Sequence, residues 1–167
     1  MISLEESLGI RSRQKRPTLI IAGAFEDQRP FQGMLAHADW FTHGRLHSLA
    51  KRSELTGVLG ERRLFLEMAA LGHAALLVIG LGATSSFDES SLDAFFTSAK
   101  EVVAGLESPE VVFELPLSVK DVPKALQNKL FDGAPGWHFM ARTTSGRLVE
   151  LPRAPSSLRP REEINLG

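Results

Sequence analysis

A three-layer α/β sandwich around a mixed, mostly parallel sheet is the fold this sequence predicts, and three observations predict it. The stretch Ala74-Ala75-Leu76-Leu77-Val78-Ile79-Gly80-Leu81-Gly82 is apolar throughout. It lacks the alternation of a half-exposed strand, as expected when helices cover both faces of a parallel sheet. Strand-like runs alternate with helix-like periods along the chain, the order that yields such a sheet. Residues 62–68 and 74–80 follow each other closely enough to form a hairpin-like pair, which makes the sheet mixed.

The elements follow in order. Residues 1–16 read as a peripheral arm carrying Arg11, Arg13, Lys15 and Arg16. Pro17 introduces a first strand at 18–25, and Glu26-Asp27-Gln28-Arg29-Pro30 is a polar turn. A helix is expected over 39–51, with Asp39 as N-cap and Leu46, Leu49 and Ala50 facing inward. Residues 55–60 form a loop with two glycines, and the pair at 62–68 and 74–80 follows. Asp88 or Ser90 caps a helix over 91–106, where Leu92, Phe95, Phe96, Ala99, Val102, Val103 and Leu106 recur at helical spacing. Gly105 and Pro109 stop it. A strand at 110–115 is expected to end at Pro116, with Ser118 capping a helix to about residue 131. Gly133-Ala134-Pro135-Gly136 is a turn, 147–151 a short final strand, and 153–167 a mobile tail with Pro155 and Pro160. The expected organisation is one domain over 17–152.

Bulk properties exclude several classes of function. The chain has 167 residues, a net charge of -1 and no cysteine. Disulfides, a thiolate nucleophile and cysteine-based zinc or iron–sulfur sites are therefore out. The near-zero charge gives no bulk argument for nucleic acid or an anionic membrane as partner. The acidic start Met1-Ile2-Ser3-Leu4-Glu5-Glu6 does not read as a secretory signal, and no apolar run approaches the roughly 18–20 residues that span a bilayer. A cytoplasmic location is the expectation.

Four segments in order resemble the N-terminal domain of the leucyl aminopeptidase (M17) family, a macro-domain-like α/β module. They are Phe25-Glu26-Asp27; the stretch from Leu35 to Leu49 with Asp39-Trp40, Gly44 and Leu46; Phe65-Leu66 followed by Leu77-Val78-Ile79-Gly80-Leu81-Gly82; and Gly136-Trp137-His138-Phe139. The similarity runs over about 17–152. The family's catalytic part is a separate domain with two metal ions and an Asn-Thr-Asp-Ala-Glu-Gly-Arg motif, which nothing here matches. The resemblance therefore implies an accessory module with no catalytic residues, metal or cofactor of its own. In full-length relatives this domain packs around the catalytic hexamer, shapes substrate access and, in one bacterial member, takes part in DNA binding. A protein partner or self-association is the corresponding expectation.

Several constellations compete for a function. Gly80, Leu81, Gly82, Ala83, Thr84 and Ser85 form a strand-to-helix loop with hydroxyl and amide donors, a candidate cradle for a nucleotide or ADP-ribose. It fails as a dinucleotide fingerprint, because Ser85 holds the third glycine position and Glu114 lies later than the expected acid about 20 residues on. Tight packing of the strand end is the competing reading. Asp39, His43 and His47 at i, i+4, i+8 share one face of a regular helix, but capping by Asp39 and a solvated histidine pair explain them without a metal. Glu26 and Asp27 read as an exposed turn, and His73 and His138 as structural or exposed. No serine has a nucleophile elbow around it. The basic cluster at 11–16, with Arg153, Arg159 and Arg161, reads as solvated charge. Phe31, Met34, Trp40 and Phe41 gather aromatic and apolar surface at a helix start, the candidate interaction surface. Against this, Trp40 could simply close the core.

Overall fold

The uninterrupted apolar run at 74–82 owes its character to its place in the sheet. A computed structural model describes residues 18–68, 74–107 and 109–153. Its elements are β1 (Thr18–Phe25), α1 (Gly33–Phe41), α2 (Arg45–Lys51), β2 (Arg62–Met68), β3 (Ala74–Gly82), α3 (Glu89–Ala104), β4 (Glu110–Ser118), α4 (Lys124–Gly133), β5 (His138–Arg142) and β6 (Leu148–Glu150). The described strands form one sheet in the order β2-β3-β1-β4-β5-β6. The four inner strands are parallel and each edge strand is antiparallel to its neighbour. The expected mixed, mostly parallel sandwich is the fold observed.

Alternate residues of the inner strands feed two cores. Leu19, Ile21, Leu77, Ile79, Val111 and Phe113 meet α3 and α4, while Ile20, Ala22, Leu76, Val78 and Val112 meet α1 and α2. Burial on both faces requires apolar residues at both parities, hence the missing alternation. The first core is aromatic at its centre: Phe113 stacks at 4.6 Å from Phe95 and 5.8 Å from Trp137.

Four local expectations need correction. The helix over 39–51 is two helices. Thr42 ends α1, His43 and Gly44 turn left-handed at φ 56 and 80, and the Gly44 and His43 N–H groups donate to the Asp39 and Trp40 carbonyls at 2.8 and 3.2 Å. This paired closure is a Schellman end whose left-handed residue is His43, with Gly44 following in the same conformation. Asp39 therefore lies within α1 and does not cap it.

Pro116 does not end β4. The pairing of β4 with β1 stops at Phe113, and its ladder with β5 slips between Glu114 and Ser118, so the missing proline N–H is not needed there. The helix expected from Ser118 begins later. A 3-10 turn covers Val119–Asp121, and α4 starts after Pro123, whose ring disfavours a helical Val122. Finally, the Trp137-His138-Phe139 turn runs directly into β5, a buried parallel strand read only as a turn from sequence.

The expected arm, the basic cluster at 11–16, His73, Arg159 and Arg161 lie outside the described residues, as does the tail beyond Arg153. Arg153 itself stands 6.0 Å from the Phe131 ring. No described helix is long and apolar enough to cross a membrane.

Candidate functional site

The glycine loop after β3 lies at the carboxyl edge of the sheet, where open α/β folds bind ligands. Its backbone is occupied by the fold itself. The Gly80 N–H donates to Glu61 O at 2.7 Å, and Gly82 N–H to Gly57 O at 2.9 Å. A Cβ on Gly80 would come 1.9 Å from the Val58 carbonyl oxygen. The glycine is there so that the 57–61 turn can cross the strand end. Thr84 donates its N–H and its hydroxyl to the two Asp27 carboxylate oxygens at 3.0 and 2.8 Å. Those bonds hold the Asp27 carboxyl below its ordinary value, the backbone donor first. A carboxylate of the protein thus takes the donors that an anion would need. Ser85, also in this loop, is exposed.

A second charged feature of that edge escaped the sequence reading. Glu114 is the buried charged residue of the described chain, 6% exposed in the middle of apolar β4. Its Oε2 accepts the Met34 N–H at 2.5 Å, at the first turn of α1, where the preceding Gln32 makes no side-chain cap. Gly33, at φ +60, leaves room for the carboxylate: a Cβ there would lie 2.2 Å from Oε1. Burial pushes the Glu114 carboxyl up to about 7, opposed by the Met34 N–H and the Arg142 guanidinium. Arg142 also donates to the Gln32 side chain and, with Lys120 and Thr143, lines a polar cleft of about 450 Å³. The visible signal was a lone acid inside Val111-Val112-Phe113-Glu114-Leu115.

The corner between α1 and α2 is open instead. A cavity of about 660 Å³ lies there, lined by Phe31, Trp40, Phe41, His43 and His47 among others. Trp40 is 81% exposed, so it does not close the core. Phe41 is half-buried, its ring 4.7 Å from that of His37. Phe31 and Met34 go into the core at 8% and 1% exposure; Phe31 reaches the cavity wall and Met34 does not line it.

Asp39 caps at a distance, its Oδ1 accepting the His47 N–H in the first turn of α2 at 2.9 Å. The expected single helix face is replaced by a corner between two helices, and Asp39, His43 and His47 all line its cavity. Among the described residues no group of three His, Cys, Asp or Glu could hold a metal ion. The His37 Nε2 is buried without a hydrogen-bond partner, and burial pushes that imidazole below its ordinary value. At the opposite edge of the sheet, His138 stands 3.2 Å from Glu110 and 2.6 Å from Glu150, tying β4, β5 and β6 together.

Comparison with known proteins follows this architecture. The family model for the N-terminal domain of the cytosol aminopeptidase family matches residues 21–130. Among curated proteins the chain is similar to a probable cytosol aminopeptidase of Cupriavidus metallidurans, with 25% identity over 154 residues. That match covers 88% of this chain and 28% of the relative's length. Among solved structures it is similar to a mutant tomato leucine aminopeptidase, at 14% identity and a TM-score of 0.48, covering 71% of this chain and 23% of that one.

Proposed function

Since the chain belongs to the cytosol aminopeptidase family through that family's N-terminal domain, we propose that it serves as a non-catalytic binding or regulatory module acting through contact with a protein. The match to the bacterial relative spans 28% of that protein, so the activity in the relative's name is not carried over to this chain. One observation supports a contact role above the others: Trp40, at 81% exposure, stands over an apolar cavity with Phe31 and Phe41 in its wall. An indole held at the mouth of such a cavity offers a large apolar area at small entropic cost, and tryptophan is enriched among residues that dominate interfaces. The surrounding residues supply no competing chemistry, since Asp39 is engaged as a cap and the histidines are exposed.

The test compares the native chain with Trp40→Ala by native mass and by recovery of partners from the source organism, with circular dichroism confirming the fold. The expected result is a defined complex that Trp40→Ala loses. A chain that recovers the same proteins as Trp40→Ala, in the same amounts, would sink the reading.

A further inference from the structure

The carboxyl edge of the sheet is closed over β1 and β3 by its own hydrogen bonds. Over β4 and β5 it is open. The polar cleft of about 450 Å³ lies there, bounded by Gln32, Ser118, Lys120, Arg142, Thr143 and Thr144 among others. Ser118 and Arg142 are partners at the end of the parallel β4–β5 ladder, and the Ser118 hydroxyl donates to the Arg142 carbonyl at 3.3 Å. Lys120 follows on the 3-10 turn at Val119–Asp121. Thr143 and Thr144 belong to the turn between β5 and β6. In that turn the Gly146 N–H donates to the Thr143 carbonyl at 2.9 Å and the Arg147 N–H to the Thr143 hydroxyl at 3.1 Å. The walls are therefore set by the fold itself.

Positive charge is left over in this cleft. Elsewhere Arg62 is paired with Glu101, Lys129 with Asp93 and Arg52 with Glu54. Arg142 and Lys120 make no ion pair among the described residues, and no acid lines the cleft with them. Arg142 donates to the neutral Gln32 side-chain oxygen, which orients the guanidinium without cancelling its charge. The carboxyl that Arg142 feels is Glu114, which burial pushes up to about 7, so near neutrality a large share of it is uncharged. Asp121 is next to Lys120 in sequence but lines a separate cleft, with Leu126 and Lys129.

A guanidinium and an ammonium beside hydroxyls form a donor set suited to a phosphoryl group. The planar fork takes two oxygens and the ammonium acts as a point charge on a third. The volume exceeds that of a bare phosphate and falls in the range of small-molecule sites. No aromatic or branched aliphatic side chain lines the cleft to stack a base. The rest of its wall is amide and hydroxyl, which suits a hydroxylated body.

We propose that the cleft at the ends of β4 and β5 binds a small phosphate monoester with a hydroxylated body, its phosphoryl oxygens held by Arg142 and Lys120. The glycine loop after β3 takes no part in it, and neither does the Trp40 cavity.

Ribose 5-phosphate is the probe, titrated into the full chain at constant ionic strength and followed through amide chemical shifts. Saturable binding at one site is expected, with the largest shifts at 118–120 and 142–146. Arg142→Gln should weaken it at least tenfold. So should Lys120→Glu, an exposed position whose change leaves the β4–β5 ladder intact. Lys51→Glu makes the same charge change at an exposed position of α2 and should stay within about twofold of the native chain. AMP should bind within about threefold of ribose 5-phosphate. Failure to saturate at high millimolar probe overturns the proposal. So does binding indifferent to Lys120→Glu, or one weakened as much by Lys51→Glu, which would be general attraction to positive charge. AMP bound tenfold more tightly than ribose 5-phosphate would reveal a base subsite and overturn the assignment of a hydroxylated body.

Discussion

The carboxyl edge of the sheet and the corner between α1 and α2 look alike in sequence, since each offers a glycine, acids and hydroxyl or imidazole groups close together. In the folded chain they are opposites. At the edge, Gly80, Gly82, Thr84 and Asp27 satisfy one another or the 57–61 turn, and Glu114 is sealed beneath α1. At the corner, a Cβ on Gly44 would meet nothing within 4 Å and Trp40 stands in solvent. A polar, glycine-containing loop thus marks a binding surface only when its donors are left over after the backbone has been satisfied. Substitutions should consequently cost much stability at the edge and little at the corner.

The sharpest contrast is between two glycines. Gly80→Ala drives a methyl group to 1.9 Å from the Val58 carbonyl oxygen of the 57–61 turn, which the turn's own hydrogen bond from the Glu61 N–H helps to hold, and should cost about 3 kcal/mol or more. Gly44→Ala meets open space and pays only for a left-handed residue at φ +80, about 1 kcal/mol. Urea midpoints of the two variants measure the difference. Equal losses would show that the crossing over β3 is loose and that the edge is not closed.

Glu114 tests the same edge through protons. Its carboxyl lies at about 7 in the fold against an ordinary 4.5, so between those values the native state binds a proton that the unfolded chain has released. Stability from this group is complete below about 4.5 and is lost as pH rises through about 7. The full swing is at most about 3 kcal/mol. Glu114→Gln keeps an acceptor for the Met34 N–H and should flatten that part of the profile. A wild-type chain whose urea midpoint is flat from pH 4.5 to 7.5 would mean that water reaches the carboxylate.

The sheet and the helix–sheet alternation were legible from sequence because they rest on burial, and burial writes itself into composition. The run at 74–82 and the spacing of Leu92, Phe95, Phe96 and Ala99 needed no further information. What failed was punctuation. Gly44 falls inside the helix that the sequence predicts over 39–51, but a Schellman closure depends on which carbonyls are free, a property of the folded turn. β5 escaped because His138-Phe139-Met140-Ala141-Arg142 is too short to show a period, and its neighbours in space are distant in sequence. Within the candidate surface, Phe31, Met34, Trp40 and Phe41 are neighbours along the chain, but that spacing does not say which of them face the cavity. Helical rotation then decided that Met34 turns inward and Trp40 outward.

At the corner, Asp39 carries the remaining stability. Its Oδ1 is the acceptor for the His47 N–H at the start of α2, where Gly44 has no side chain to offer. Asp39→Ala should cost about 1 kcal/mol, and Asp39→Asn, which retains an acceptor oxygen, a few tenths. Thermal midpoints of the pair separate capping from charge. Equal losses would assign the effect to the negative charge facing the α2 dipole instead.

Trp40 should show the smallest effect of all, and its smallness is the informative part. A tryptophan buried in a core costs about 3–5 kcal/mol when cut to alanine, because its contacts vanish and a cavity remains. At 81% exposure Trp40 has few contacts to lose, and Trp40→Ala should move the isolated chain's unfolding free energy by no more than about 0.5 kcal/mol. Neither of its helices needs the indole: α1 ends through backbone bonds at Gly44, and α2 is held by buried Leu46. A loss of 2 kcal/mol or more would mean that the ring folds back over the cavity in solution, and the corner would then be as closed as the edge. A near-zero loss leaves a large aromatic side chain that the fold does not use, which is the condition for its use by a partner.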